Sequence, residues 1–239
     1  MAGSVRTARL RERRAAAALA RDTAITELRV TQGVLRRSVT TEASQQASPA
    51  ELRRRVANLA RGTYIDDVLG MQDSALYRWP ERLTNALRVY VEPTSPVRGW
   101  DERYPALARA VFDEWSEAGF PLRFTFVYDS TNADLTIRWR DRFPPADGQR
   151  IGVTERIQTS TFEIARARVV IATQDSAGRV LPATVVGGIL RHEVGHALGL
   201  NHANDPTSVM YHEAATTSIG ASDRATLRLI YLVPGGSLR

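Results

Sequence analysis

Apolar and polar residues recur with two different periods along this chain, and the two periods predict different elements. Residues 87–91, 122–128 and 134–139 alternate apolar and polar side chains or are rich in branched and aromatic ones, as strands are. Residues 104–119 instead have apolar side chains at helical spacing, and Gly119 predicts the helix end. The predicted order is strand, long helix, strand and strand.

The second half of the chain predicts one more strand and two helices. Residues 168–173 form the predicted fourth strand, and residues 182–200 a helix with an apolar face. Ser222 is predicted to cap a closing helix over residues 223–232. Residues 143–161 contain two adjacent prolines and two glycines, which predict an irregular stretch.

Residues 1–62 predict a helical segment that is separate from the domain at residues 63–239. Residues 6–35 are rich in helix formers, whereas residues 38–49 are rich in Ser, Thr and Gln and indicate a linker. Ser48 is predicted to cap a further helix, with a proline at its first position. The segment has no chemical motif, so a tether, a propeptide, an interaction arm and a solvated helix with a flexible joint all stay open.

The metal-binding chemistry of the chain concentrates in one stretch, RHEVGHALGLNH. His192 and His196 are four residues apart, so a helix places both imidazoles on one face. Gly199 allows the chain to bend back, and His202 can then provide a third nitrogen ligand. Glu193 lies beside the first histidine, where a carboxylate can take a proton from a metal-bound water.

A zinc site is favoured over the plainer interpretations of these histidines. An isolated His-x-x-x-His pair is most often two ordinary histidines, and His-Glu-x-x-His also arises by chance. The extended pattern adds a glycine and a third histidine at fixed spacing, and three of the chain's four histidines fall within it. The residues therefore predict one catalytic zinc ion, held by three histidines, with Glu193 as general base.

The same stretch resembles the metzincin zinc peptidases, through HEVGHALGLNH and the Ser208-Val209-Met210-Tyr211 that follows it. The short step from His202 to Met210 is similar to the matrixin branch, and we expect a bacterial member. The resemblance implies an α+β fold, namely a zincin-like catalytic domain with a twisted, mixed, mostly parallel sheet, a long first helix, the zinc-binding helix and a C-terminal helix. It also implies that Met210 forms a hydrophobic floor beneath the metal.

The resemblance further implies a peptide or protein substrate. The strand at residues 168–173 would border the cleft as an edge strand, to which an extended peptide adds through main-chain hydrogen bonds. Residues 212–219 would wall the pocket for the substrate residue after the cleaved bond. Tyr211 and His212 are candidates for lining that pocket or for a part in the reaction, where some metzincins have a tyrosine. The family also leads us to expect a secreted or cell-envelope protein.

The structural metals of matrixins are predicted only in part. A second zinc lacks ligands, because His212 is the only histidine left over. Calcium is a candidate through five aspartates, although their spacing fits no fixed loop pattern. These are Asp129, Asp134, Asp141, Asp147 and Asp175. The chain has no cysteine and therefore lacks the cysteine-bearing propeptide switch of many matrixins.

Composition changes this picture little. The net charge is +6, but all 32 basic residues are arginine, which indicates codon bias in a GC-rich genome, and we expect no nucleic-acid partner. No apolar run is long enough to span a membrane, and the N-terminus lacks the apolar core of a clear signal peptide. The sequence does not predict an oligomeric state.

Together these features predict a zinc-dependent endopeptidase that hydrolyses peptide bonds with a zinc-activated water. Two alternatives stay open: a non-catalytic, zinc-stabilised binding module, and a zinc hydrolase of a non-peptide amide. Glu193 weighs against the binding module, because a structural site closes its fourth position with a protein ligand and needs no base.

Overall fold

The computed structural model describes residues 47–80, 85–147, 150–213 and 217–239 of the chain. Within them, a five-stranded sheet and five α-helices share one main hydrophobic core. The helix predicted at residues 6–35 and most of the linker after it lie outside the described residues. The predicted α+β class is confirmed.

The main sheet is mixed and mostly parallel, as predicted. The strands are β1 (Ala75–Leu76), β2 (Leu87–Val91), β3 (Phe124–Val127), β4 (Leu135–Arg140), β5 (Gly152–Gln158), β6 (Ile164–Ala172) and β7 (Gly236–Ser237). The main sheet has the order β3-β2-β4-β6-β5, in which only β5 is antiparallel to its neighbour. Strands β1 and β7 form a separate antiparallel pair.

The described residues contain five α-helices. They are α1 (Pro49–Leu59), α2 (Ile65–Met71), α3 (Tyr104–Ser116), α4 (Ala183–Ala197) and α5 (Ala221–Leu232). Of these, α3 and α4 cover one face of the main sheet. Helix α3 connects β2 to β3 and packs against α4, where Glu114 accepts two hydrogen bonds from Arg191 at 2.6 and 2.7 Å. Helix α3 ends at Ser116 and not at Gly119, where the sequence predicted its end.

No helix in the described part of the chain is long and apolar enough to cross a membrane.

Strand β5 is the largest departure from the prediction, which made residues 143–161 irregular. The side chains of Thr154 and Arg156 face helix α4, and a Cβ at Gly152 would point to the same helix. Val153 packs on the opposite face of the sheet. The inward positions are thus a glycine and two polar residues that hydrogen-bond to α4. This arrangement inverts the apolar alternation by which a half-buried strand is recognised.

The edge strand of the sheet also differs from the prediction. Residues 168–172 belong to β6, which lies between β4 and β5, so the prediction of an edge strand at residues 168–173 is wrong. Strand β5 is outermost on this side, and no further strand follows it among the residues described. Because β5 runs antiparallel to β6, a short connection is enough to join these two neighbouring strands.

Helix α5 begins two residues earlier than expected, and the prediction that Ser222 caps it is wrong. Gly220 is the capping residue, and its N–H donates to the Asp223 carboxylate at 2.7 Å. An acidic side chain at the third helical position reaches back to the cap in this way. The cap at Gly220, completed by the Asp223 side chain, therefore replaces the one predicted at Ser222.

Helix α1 shares the main core with the rest of the chain. Ser48 caps it as predicted, accepting a hydrogen bond from a first-turn N–H at 3.3 Å. Leu52 and Val56 are buried in the core that also contains the sheet. The division between residues 1–62 and 63–239 stays a prediction.

Candidate metal centre

Three histidine rings converge beside helix α4. His192 and His196 are one turn apart on the helix, and their Nε2 atoms are 3.1 Å from each other. The Nε2 atom of His202 is 3.2 Å from that of His196. Within the described residues, no other group of three or more His, Cys, Asp or Glu side chains comes together closely enough to hold a metal ion. Three imidazole nitrogens are the protein ligand set of a common class of catalytic zinc sites.

Gly199 makes the turn that returns the chain to the two helical histidines. Its φ of 116° lies in a region that glycine enters far more readily than other residues. A Cβ at this position would also lie 2.8 Å from the carbonyl oxygen of Tyr77. Both the backbone angle and the lack of space therefore require glycine here.

Side chains from other elements hold the end of α4 where the second histidine lies. The carbonyl oxygens of residues 196, 197 and 198 accept hydrogen bonds from Arg156, Trp79 and Tyr231, at 3.3, 2.8 and 2.9 Å respectively. Carbonyls at a helix end lack donors within the helix and need such partners. The end of α4 is consequently fixed to β5, to the segment before β2 and to α5.

Two of the three rings are also held from their far side. The Nδ1 atom of His192 is 2.7 Å from the carbonyl oxygen of Val209, and that of His196 is 3.0 Å from the carbonyl oxygen of Leu200. A carbonyl can only accept, so these contacts fix the proton on Nδ1 and leave the Nε2 lone pair for a metal. The hydrogen-bond pattern therefore fits a bound cation.

The surroundings favour neutral rings. Burial, with the rings of His192 and His202 nearby, lowers the pKa of His196 well below its ordinary value. Burial, with His192 and His212 nearby, lowers the pKa of His202 to about 3. Metal binding requires the neutral imidazole, so these two rings need not lose a proton near neutral pH.

The Glu193 carboxylate is buried between α4 and β5, with only 6% of the residue exposed. The Thr154 hydroxyl lies 2.7 Å from Oε2 of this carboxylate and 2.9 Å from the backbone oxygen of the same residue. A Cβ at Gly152 would lie 2.5 Å from Oε1 and 2.8 Å from Cγ. A hydroxyl and a space left free by glycine thus fix the carboxylate beside the first histidine.

The turn that contains Met210 packs against α4. Met210 is fully buried, and its side chain occupies the space that a Cβ on Gly195 would need. Its carbonyl oxygen accepts a hydrogen bond from the N–H of Ala203 at 2.9 Å, just after the third histidine. The turn therefore contacts both the helix and the loop that hold the three rings.

Asp223 anchors this turn from the first turn of α5. Its fully buried carboxylate accepts hydrogen bonds from the Ser208 hydroxyl and, at 3.2 Å, from the N–H of Val209. The Ser208 oxygen in turn accepts from the N–H of Met210 at 2.9 Å. Because the Val209 carbonyl holds the His192 ring, one network joins α5 to the first histidine.

Residues 79–232 match the sequence profile of the matrixin peptidases. The chain belongs to the matrixin family. Matrixins belong to the metzincins, which are zinc metallopeptidases that hydrolyse peptide substrates.

Two solved structures resemble this matrixin at low sequence identity. The structure titled "GM1 bound form of the ECX AB5 holotoxin" is 16% identical, with a TM-score of 0.47 over 70% of this chain and 87% of the other. The structure of myroilysin is 14% identical, with a TM-score of 0.43 over 64% of this chain and 85% of the other. No curated protein matches the sequence. The family assignment rests on the matrixin profile.

Tyr211 and His212 directly follow Met210 in this matrixin, and His212 is not part of the three-histidine group. Tyr211 is half-buried and His212 is exposed, and their ring centroids are 4.3 Å apart. The Nε2 atom of His212 is 3.8 Å from the carboxylate of Glu213. Of the stretch 212–219 that the sequence assigned to substrate specificity, residues 214–216 lie outside the described part.

The five aspartates considered for calcium are not brought together. Asp134 pairs with Arg88 at 3.3 Å, and Asp175 accepts hydrogen bonds within its own turn. Asp141 accepts from the N–H of Arg98 at 2.7 Å. Among the described residues, therefore, the calcium prediction has no ligand cluster to support it.

A cavity of about 550 Å³ lies between α3, the first half of α4 and a loop segment before α5. Leu107, Gly187, Thr217 and Ser218 are among the residues that line it. A Cβ at Gly188 would lie 2.9 Å from the Thr217 methyl group, so this loop packs directly on α4. That contact is one helical turn before His192.

Among the residues that shape the site, Gly152, Thr154 and Asp223 were not predicted in their roles. Gly152 and Thr154 fall in the stretch that was expected to be irregular, and no periodicity marks them as part of a strand. Asp223 was expected only as a member of the closing helix. Its position three residues after Gly220, at the start of an apolar helical stripe, was the available signal for a capping role.

Proposed function

We propose that this matrixin is a zinc-dependent endopeptidase in which His192, His196 and His202 hold the zinc and Glu193 is the general base. The main support is the convergence of three ring nitrogens, 3.1 and 3.2 Å between neighbours, beside a buried carboxylate. Imidazole suits zinc, whereas calcium and magnesium prefer oxygen ligands. Three protein ligands leave a coordination position open for chemistry.

Zinc held by these rings would polarise the scissile carbonyl and lower the pKa of a bound water to about 7. Glu193 accepts the proton of the attacking water as the water oxygen bonds to the carbonyl carbon. The same proton then passes from Glu193 to the leaving nitrogen while the carbon–nitrogen bond breaks. Thr154 and Gly152 keep the carboxylate in one orientation for both transfers.

Strand β5 is suited to hold an extended substrate. It is outermost in the sheet beside α4, so a peptide can add to it through main-chain hydrogen bonds. Such bonds hold a peptide whatever its side chains are. This assignment replaces residues 168–173 with residues 152–158 as the substrate strand.

The cavity beside α4 is suited to receive a substrate side chain. Its wall includes Thr217 and Ser218, which belong to the segment that the family resemblance assigns to substrate specificity. The wall also includes Arg191, the residue before the first histidine. Thr217 and Ser218 are therefore the described residues at which we expect changes to alter cleavage preference.

Digestion of a peptide library by the purified protein tests this function directly. We expect cleavage products by mass spectrometry, loss of cleavage after treatment with a zinc chelator, and recovery when zinc is added back. Each step is compared with an equal addition of magnesium, which three imidazoles should bind poorly. Absence of peptide cleavage by the zinc-loaded protein would contradict the proposal.

The same experiment separates the two alternative functions. A non-catalytic zinc module would bind zinc and lose stability with the chelator but cleave nothing. A hydrolase of non-peptide amides would leave the peptide library intact and hydrolyse small amide substrates in a zinc-dependent way. The buried carboxylate beside the rings and the outermost strand favour the peptidase.

Replacing Thr154 by Val should lower kcat for peptide cleavage about 10-fold, because a hydrogen bond to a charged group contributes about 1.5–3 kcal/mol. KM should stay unchanged, since Thr154 does not face the substrate. Steady-state kinetics on one peptide measures both values. Thr154→Ser should restore kcat, and Thr125→Val, on β3 at the far edge of the sheet, is the matched control. A kcat equal to that of the wild type in Thr154→Val would contradict this role.

A further inference from the structure

Helix α2 lies before the residues that match the matrixin profile, yet it contacts the loop that contains His202. The helix is itself firmly held. Ile65 and Val68 are buried in the main core, and the N–H of Tyr64 donates to the Thr226 hydroxyl at 3.0 Å. Helix α2 can therefore serve as a fixed support for the loop.

His202 differs from the other two histidines in how its ring is held. Nδ1 atoms of His192 and His196 each lie within hydrogen-bond distance of a backbone carbonyl. Among the described residues, the Nδ1 atom of His202 has no such partner. The only hydrogen-bond contact of this ring within the described part of the chain joins its Nε2 atom to the Nε2 atom of His196. The orientation of this ring consequently depends on the backbone on either side of it.

The residue before His202 is fixed on two sides. Asn201 is 2% exposed, and its amide Nδ2 donates to the carbonyl oxygen of Val68 in α2 at 3.2 Å. Its Oδ1 accepts from Nη2 of Arg156 in β5 at 2.9 Å. A buried amide that is bonded at both ends costs free energy to move, because its polar groups would lose their partners.

The second residue after His202 is also attached to α2. The Asp67 carboxylate accepts from the backbone N–H of Asn204 at 3.0 Å and from its side-chain Nδ2 at 2.6 Å. Hydrogen bonds to an ionised carboxylate are stronger than those between neutral groups. Helix α2 thus accepts hydrogen bonds from the residues on both sides of the third histidine.

We propose that α2 is part of the metal centre, with Asp67 and the carbonyl of Val68 as positioning groups that hold His202 toward the zinc. The proposal rests on the zinc site proposed above. It makes zinc affinity depend on a segment that precedes the family domain. Loss of this support lets the loop sample orientations in which the His202 ring leaves the other two.

Replacing Asp67 by Ala tests the proposal without any need for activity. We expect the zinc dissociation constant, measured by competition with a chelator, to rise about 10-fold, the lower end for partners that orient metal ligands. The matched control is Asp66→Ala, an exposed neighbour in the same helical turn that loses the same charge near the same helix end. It should bind zinc like the wild type, and both apo variants should keep the circular-dichroism spectrum of the folded wild type.

A double-mutant comparison identifies the contact. Asn204→Ala should weaken zinc binding less than Asp67→Ala, because its backbone N–H still donates to the carboxylate. In the Asp67→Ala background it should weaken binding no further, since the shared contact is already gone. Equal zinc affinity in Asp67→Ala and Asp66→Ala, or fully additive effects, would overturn the proposal.

The outcomes also separate this proposal from the proposed function. If the wild type binds zinc but cleaves no peptide, the peptidase assignment fails, while the affinity of the Asp67 variant still decides the role of α2. If the wild type binds no zinc, the metal site fails and the role of α2 fails with it.

Discussion

Replacing Glu193 by Gln is expected to lower kcat/KM for peptide cleavage by at least about 100-fold, the usual contribution of a general base. Gln has nearly the same shape and can still contact the Thr154 hydroxyl, but it cannot accept the proton of the attacking water. Since Glu193 is not among the three converging rings, zinc content should stay at the wild-type level. Kinetics on a peptide substrate and elemental analysis of the same sample measure the two quantities.

Glu117→Gln provides the matched control for this change. Glu117 is exposed at the end of α3, where its carboxylate lies 3.1 Å from Arg224, and it should affect neither activity nor zinc content. Wild-type activity in Glu193→Gln would remove Glu193 from the mechanism. Loss of zinc from the same variant would instead assign the carboxylate to the metal.

Replacing Asp223 by Ala should destabilise the apo protein by about 3 kcal/mol, because it removes a buried acceptor and leaves its donors without a partner. The donors are the Ser208 hydroxyl and the N–H groups of Val209 and Gly220. Zinc affinity should also fall, since the carbonyl of Val209 orients the His192 ring. Urea denaturation gives the free energy of unfolding, and chelator competition gives the zinc affinity.

Two further variants test the cause of this loss. Asp223→Asn keeps an oxygen that can accept from the two N–H groups, so it should recover part of the stability. Asp205→Ala removes an exposed carboxylate from the same region and should leave the free energy of unfolding nearly unchanged. If Asp223→Ala were as stable as Asp205→Ala, the buried network would have no role in holding the turn.

The sequence predicted the convergence of the three histidines better than the residues around them, for a physical reason. The spacing of His192, His196 and His202 encodes a local geometry, one helical turn followed by one bend, that depends little on the rest of the chain. The long helices were likewise predicted, because α3 and α4 each bury a continuous apolar face. Local periodicity was sufficient in both cases.

The supporting residues could not be predicted, because their roles come from contacts between distant segments. Thr154 is 39 residues from Glu193 along the chain, and Val68 is 133 residues from Asn201. In β5 the inward residues are polar because they hydrogen-bond to α4, so the strand lacked the signal that identified β2 and β4. A polar residue that serves a distant partner looks like a surface residue in the sequence.

Alternate residues of β5 contact different parts of the protein. Gly152, Thr154 and Arg156 contact helix α4, while Val153 and Ile157 point to the other face of the sheet. The first group can change only together with α4, whereas Val153 packs against Phe143, Val170 and Ala172 on the opposite face. For protein engineering, Val153 and Ile157 are therefore positions of β5 at which variation is separated from the three histidines and Glu193, whereas Gly152, Thr154 and Arg156 must be kept.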